Sequence, residues 1–286
     1  MKQLVVISGK GGTGKTSITA ALAAVAENAV LADCDVDAAD LHLVLDPEID
    51  KEEDFYSGET PVFDADLCTQ CGLCLDNCRF NAVSTDFQPI KENCEGCGVC
   101  EFICPSGAVS MHPRWCGVKR VSRTRFGPMV HAELGIGEEN SGKLVTDVRR
   151  TSAEIAERDG AEFVIVDGSP GVGCPVIASL TGADACLLVA EPTVSAIHDL
   201  ERVAELLKHF RLPSACVINK RGVNPELEEC IIGFCEASGI PVVGSYPYDA
   251  AFNRAQSERM TVVEYDPEGF GLTTRNIWEE IKQFMV

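Results

Sequence analysis

Leu4-Val5-Val6-Ile7-Ser8-Gly9-Lys10-Gly11-Gly12-Thr13-Gly14-Lys15-Thr16 decides the fold. Four consecutive apolar residues suit a parallel strand buried on both faces. A glycine-rich turn follows, and an alanine-rich stretch over 16–26 then reads as a helix. Gly9 to Thr16 fits G-x4-G-K-[ST] in the strand–turn–helix setting that gives the pattern its meaning. Glycines let backbone N–H groups curl around phosphate oxygens, and the helix N-terminus adds partial positive charge. The expected phosphate-binding loop is therefore Gly9, Lys10, Gly11, Gly12, Thr13, Gly14, Lys15 and Thr16. In it Lys15 reaches the β- and γ-phosphates and the Thr16 hydroxyl ligates Mg2+. A second short strand over 29–32, ending at Asp33, begins a βαβ pattern and predicts an α/β domain.

The pattern breaks after Leu45. Acidic residues with Pro47, Gly58 and Pro61 predict a linker. Eight cysteines then fall into two matching runs: Cys68, Cys71, Cys74, Cys78 and, 26 positions on, Cys94, Cys97, Cys100, Cys104. Each reads C-x2-C-x2-C-x3-C, the spacing of bacterial two-cluster ferredoxins. The flanks repeat too: Cys71-Gly72-Leu73-Cys74 matches Cys97-Gly98-Val99-Cys100, and Ala82-Val83 matches Ala108-Val109. Zinc sites use separated C-x2-4-C pairs, so the pattern points to two [4Fe–4S] clusters. The fourth cysteine of each run crosses to the other cluster. Cluster one would take Cys68, Cys71, Cys74 and Cys104, and cluster two Cys94, Cys97, Cys100 and Cys78. Pro105 follows Cys104 as expected, but Arg79 follows Cys78.

A basic stretch comes next: Arg114, Lys119, Arg120, Arg123 and Arg125, with no acid between them. It predicts a hairpin leading back to the main domain, and its charge could complement the acidic cysteine module. The α/β rhythm then resumes. Helices are expected over 143–157, 195–210, 225–238 and 273–284. Strands are expected over 163–166, ending at Asp167, and over 185–190, 215–218 and 242–245. The last helix carries acidic residues on its polar face, so core packing is expected rather than membrane-surface binding.

The chain has 286 residues, 45% hydrophobic, a formal charge of −20 and a pI near 4.6. An acidic surface argues against nucleic acid and anionic membranes. No run approaches the ~20 apolar residues needed to span a bilayer, and no secretory leader is expected ahead of the first strand. Fifteen cysteines without a leader suggest metal or redox chemistry in the cytoplasm rather than disulfides.

With two lysines in the loop, Lys10-Gly11-Gly12-Thr13-Gly14-Lys15-Thr16 resembles the deviant loop of the MinD/ParA/Mrp and nitrogenase-iron-protein class of P-loop ATPases. The resemblance implies ATP, Mg2+ and a homodimer formed on ATP binding, in which Lys10 reaches the partner's phosphates. In Asp33-Cys34-Asp35-Val36-Asp37 it implies that Asp35 positions the attacking water, while Asp37 could simply stay solvated. Asp167-Gly168-Ser169-Pro170-Gly171 resembles the second switch, written D-x-P-P-G in Mrp-like members, with Ser169 replacing the first proline. Asp167 then meets the Mg2+ shell, and Gly171 offers its N–H to the γ-phosphate. Asn219 would read the adenine edge, with Glu191-Pro192-Thr193, Pro247 and Asp249 on the same side. Cys174 stands where nitrogenase-iron-protein-like members hold a subunit-bridging cluster. The upstream segment Asn140-Ser141-Gly142-Lys143 lacks the companion cysteine, so a structural cysteine is expected.

The whole resembles MinD-superfamily P-loop ATPases with an inserted ferredoxin domain. The expected fold is a mostly parallel α/β sheet with helices on both faces, carrying an inserted α+β bacterial-ferredoxin-like domain. The expected division is 1–57 and 114–286 for the ATPase and 58–113 for the insertion. The leading functional reading is an ATPase that couples nucleotide turnover to electron transfer from two [4Fe–4S] clusters to a partner protein. A cluster assembly or carrier ATPase is the alternative, and a MinD/ParA-like positioning ATPase a third.

Overall fold

The structure is a computed structural model and describes residues 1–138 and 141–285. Asn140, named above in the segment without a companion cysteine, lies outside the described residues. The chain forms two compact units: Met1–Glu53 with Lys119–Glu133 and Ser141–Val286, and Asp54–Val118 with Leu134–Asn140. The second unit begins earlier and ends later than the expected 58–113 and takes in 134–140. Two of the crossings between the units, at 53/54 and 118/119, fall inside long strands rather than in loops.

The first unit is built on β1 (Lys2–Ser8), α1 (Lys15–Ala23), β2 (Ala29–Asp33) and α2 (Leu41–Leu45). It takes the ends of β3 (Glu48–Phe63) and β4 (Val109–Thr124), and continues through β5 (Gly127–Leu134) and α5 (Ser141–Asp159). Then follow β6 (Phe163–Asp167), α6 (Cys174–Leu180), β7 (Ala185–Ala190), α7 (Val194–Phe210), β8 (Ser214–Arg221), α8 (Pro225–Ser238) and β9 (Val242–Pro247). The chain closes with α9 (Ala251–Ser257), α10 (Val262–Tyr265) and α11 (Phe270–Phe284). The strand order is β3-β4-β5-β2-β6-β1-β7-β8-β9, and the pairs from β5 to β9 are parallel. No helix among the described residues is long and apolar enough to cross a membrane.

Consecutive burial along β1 (Leu4 to Ser8) and all of β2 and β7 shows that both sheet faces are covered. Leu4, Val6, Leu31, Ile165 and Leu187 pack with Ile18 and Leu22 of α1 and with Ile277, Trp278 and Ile281 of α11. Each such side chain contributes roughly 1.5–3 kcal/mol through burial. The last helix is thus a core element, as its acidic polar face suggested. Gly244 in β9 makes its close approach possible, because a Cβ there would collide with Ile277.

The expected linker after Leu45 is instead strand β3, which runs through Gly58 and Pro61. Its acids face the basic stretch of β4. Asp50 accepts from Arg123 at 2.9 Å and Glu52 from Arg120 at 2.7 Å, while Lys119 stands 3.7 Å from Glu53. The basic run therefore complements this acidic strand, and β4 leads into β5 as the predicted hairpin did.

In the second unit the duplication extends to the backbone. The short helices α3 (Leu73–Asp76) and α4 (Val99–Phe102) occupy matching places. Left-handed residues match as well: Gln70 with Gly96, Gly72 with Gly98, and Asn81 with Gly107. Ala82, Val83, Ala108 and Val109 are the matching buried apolar pairs.

Candidate functional site

At the C-terminal ends of β1, β2, β6 and β8 opens a cleft of about 630 Å3. Crevices at that end of parallel strands are where α/β sheets bind ligands. Gly11, Gly12, Thr13, Gly14, Lys15, Thr16, Asp35, Asp37 and Asn219 line it. A Cβ at Gly11 or Gly12 would meet nothing within 4 Å, so the loop backbone faces open space. Gly14 has φ 88° and passes the Asn219 amide too closely for any side chain. The Thr13 hydroxyl is buried and has no hydrogen-bond partner among the described residues. Open backbone and an orphaned hydroxyl are what a phosphate group would satisfy.

Lys15 is 5% exposed, and its Nζ lies 2.7 Å from Asp167 Oδ1 and 3.3 Å from Asp35 Oδ2. Asp167 is fully buried at the end of β6 and also accepts from Thr16 Oγ1 at 2.7 Å and Thr19 Oγ1 at 2.8 Å. Asp33 accepts the backbone N–H groups of Asp35 and Leu41. Burial, together with the negative Asp167 beside it, holds the Asp33 carboxyl well above the usual carboxylate range. Burial raises Asp35 as well, against the pull of Lys15. Burial opposes protonation of Lys15, yet Asp167 and Asp35 hold its pKa above the ordinary lysine value. Three carboxylates thus gather near one ammonium, a donor set with room for further positive charge. Thr16 and Asp167, already joined to each other, fit as the pair that would hold Mg2+.

The two expected switches are tied together. Cys34 N–H donates to the Asp167 carbonyl at 2.8 Å, and Ser169 Oγ donates to the Cys34 carbonyl at 2.8 Å. Ser169, standing where the family motif has proline, therefore supplies a bond proline could not. Gly171 has φ 90°, and its N–H donates to the Ser8 carbonyl at 2.9 Å. Asn219, expected to read the base, donates its amide to the Thr13 carbonyl at 2.7 Å and braces the loop. Lys10 does not line the cleft; its Nζ lies 2.9 Å from Glu191 Oε1. Tyr248, Phe252, Asn253 and Gln256 also line the cleft. Sequence reasoning named only their neighbours Pro247 and Asp249, because a lone amide or aromatic after β9 or on α9 carries no pattern.

In the second unit, Cys68, Cys71, Cys74 and Cys104 line one pocket. Cys78, Cys94, Cys97 and Cys100 line another, which Cys74 also borders. Each pocket thus carries the first three cysteines of one run and the fourth of the other. Ala82 N–H donates to Cys78 Sγ at 3.2 Å, and Ala108 N–H donates to Cys104 Sγ at 3.3 Å, another matched pair. Among the described residues, no three His, Cys, Asp or Glu side chains converge as a single metal ion requires. Cys174 is exposed at the start of α6.

Comparison with known proteins matches residues 4–262 to the CobQ/CobB/MinD/ParA nucleotide binding domain family. An uncharacterized protein of Methanocaldococcus jannaschii is 38% identical over 225 residues, covering 78% of this chain and 79% of its own length. An uncharacterized ferredoxin of the same organism is 34% identical over 56 residues, 18% of this chain and 90% of the ferredoxin. The septum site-determining protein MinD of Pyrococcus horikoshii, solved with Mg-ADP, superposes with a TM-score of 0.58 at 19% identity. That match covers 99% of this chain and 96% of the other.

Proposed function

The chain belongs to the CobQ/CobB/MinD/ParA nucleotide-binding domain family, and we propose that it is an ATPase coupling nucleotide turnover to electron transfer from two [4Fe–4S] clusters. The MinD-like fold and the loop place it among P-loop ATPases. What carries the finer reading is the sorting of eight cysteines into two sets of four, each around its own pocket. Backbone N–H bonds to Cys78 and Cys104 suit ligand sulfurs, whose potential such bonds tune. The short ferredoxin relative supports the same assignment.

At the cleft, Mg2+ held by Thr16 and Asp167 would neutralise phosphate charge, as the Mg-ADP of the Pyrococcus horikoshii protein suggests. Lys15 would exchange its carboxylate partners for the β- and γ-phosphates. Asp35 would accept a hydrogen bond from the attacking water. Gly171 N–H would leave the Ser8 carbonyl for the γ-phosphate, and loss of that phosphate would release it. Cys34 and Ser169 would transmit the change between the switches. In sequence the cysteine module lies between the two switches, and that order is what the coupling reading rests on. An ATP-bound homodimer and a protein electron acceptor complete the reading.

The cysteine-held clusters would supply one-electron transfer. Anaerobic purification with iron and sulfide counts, followed by electron paramagnetic resonance, tests the proposal. About eight irons per chain and cluster signals that shift with Mg-ATP are expected. Clusters indifferent to every nucleotide would leave an ATPase and a redox protein merely sharing a chain. Iron that passes to an apo-acceptor during turnover would favour the carrier reading.

A further inference from the structure

Glu191 follows β7 and is 4% exposed. One of its oxygens lies 2.9 Å from Lys10 Nζ, and the other lies 2.6 Å from Lys220 Nζ. Lys10 Nζ also donates to Ser195 Oγ at 2.9 Å and Thr193 Oγ1 at 3.3 Å. Lys220 Nζ also donates to the Gly12 carbonyl at 2.6 Å. A lysine ammonium has three N–H donors. All three of Lys10's are spent on its own chain, on acceptors from one short segment at the start of α7.

Burial would raise the Glu191 pKa, but Lys220 and Lys10 hold it below the ordinary value, so the carboxylate is charged at neutral pH. One buried negative charge therefore draws two ammonium groups toward β7, one from each side of the loop. Nothing in hydrolysis calls for a carboxylate here. Its charge repels phosphate and competes with it for both lysines.

We infer that Glu191 is a catch: it holds Lys10 folded onto its own chain and must release it before Lys10 can reach the nucleotide of a second copy. This rests on the proposed ATP-bound homodimer and on the cross-dimer reach that the sequence resemblance implies for Lys10. Glu191 acts through Lys10 and Lys220 and is a positioning residue. Its release would make ATP-dependent association cooperative with phosphate binding, because each phosphate group offers the lysines a competing anion. Without that competition the closed Lys10 keeps the chain monomeric.

The test is association measured by analytical ultracentrifugation with a non-hydrolysable ATP analogue. Glu191→Gln keeps the shape and removes the charge. The expected result is a several-fold tighter dimer and a lower KM for ATP, with kcat per dimer little changed. Ser195→Ala removes one Lys10 acceptor without touching the carboxylate, and should shift association the same way by less. In a Lys10→Ala background neither substitution should change association. A folded Glu191→Gln protein whose dimer is no tighter than wild type overturns the catch while leaving the cross-dimer reading intact. Wild-type protein that binds the analogue yet stays monomeric overturns the cross-dimer reading and the catch with it.

Discussion

Lys15 and Asp167 meet at 2.7 Å beneath the phosphate-binding loop, both nearly withdrawn from water. The lysine that should bind phosphate and the aspartate that should meet magnesium satisfy each other in this state. Removing Lys15 leaves Asp167 a buried carboxylate with no counter-ion, which costs roughly 3–5 kcal/mol. Lys15→Ala should therefore lower the urea midpoint as well as abolish hydrolysis. Mg-ATP should raise the melting temperature of the wild type and leave that of the variant unchanged.

Asn219 braces the loop through the Thr13 carbonyl. Asn219→Ala should weaken ATP and GTP by similar factors, because the lost bond shapes the phosphate cradle. Competition binding with both nucleotides measures this. Loss confined to ATP would return the residue to the role of adenine reader.

His131, in β5, is buried against Ser122 and stacks on His42. Burial, with His42 and Arg120 nearby, pushes its pKa down to about 4. The unfolded chain takes up this proton near pH 6.5 while the folded chain resists until about 4. Its contribution is therefore present above pH 6.5 and is lost as pH falls through that window, amounting to about 3 kcal/mol. His131→Asn should flatten the fall of unfolding free energy with acid across that window.

The crossed grouping of cysteines separates two substitutions that look alike in sequence. Cys104→Ala should disturb the pocket of Cys68, Cys71 and Cys74, and Cys78→Ala that of Cys94, Cys97 and Cys100. Each should lower iron from about eight to about four per chain while sparing a different resonance signal. ATP binding should persist in both.

Local pattern revealed the loop, the aspartates at strand ends and the cysteine repeat, because each is written within a few consecutive residues. β3 was hidden because Pro47, Gly58 and a run of acids read as linker. Its partners Arg120 and Arg123 lie about seventy positions away. The Glu191 contacts were hidden for the same reason: Lys10 is 181 positions distant, and nothing near Glu-Pro-Thr marks it as a charge partner. The bond from Ser169 to the Cys34 carbonyl shows the limit from the other side. There a departure from the family motif supplies a link between the two switch segments.

The duplicated backbone makes the second unit its own experimental control. Left-handed turns 26 residues apart are occupied by Gln70 and Asn81 in one copy and by Gly96 and Gly107 in the other. Cys78 and Cys104 receive the same backbone N–H, yet one precedes Arg79 and the other Pro105. Two natural variants of one design thus share a polypeptide, a solvent and a sample tube. Exchanging these residues pairwise between the copies would read what each contributes to its cysteine pocket without a reference protein.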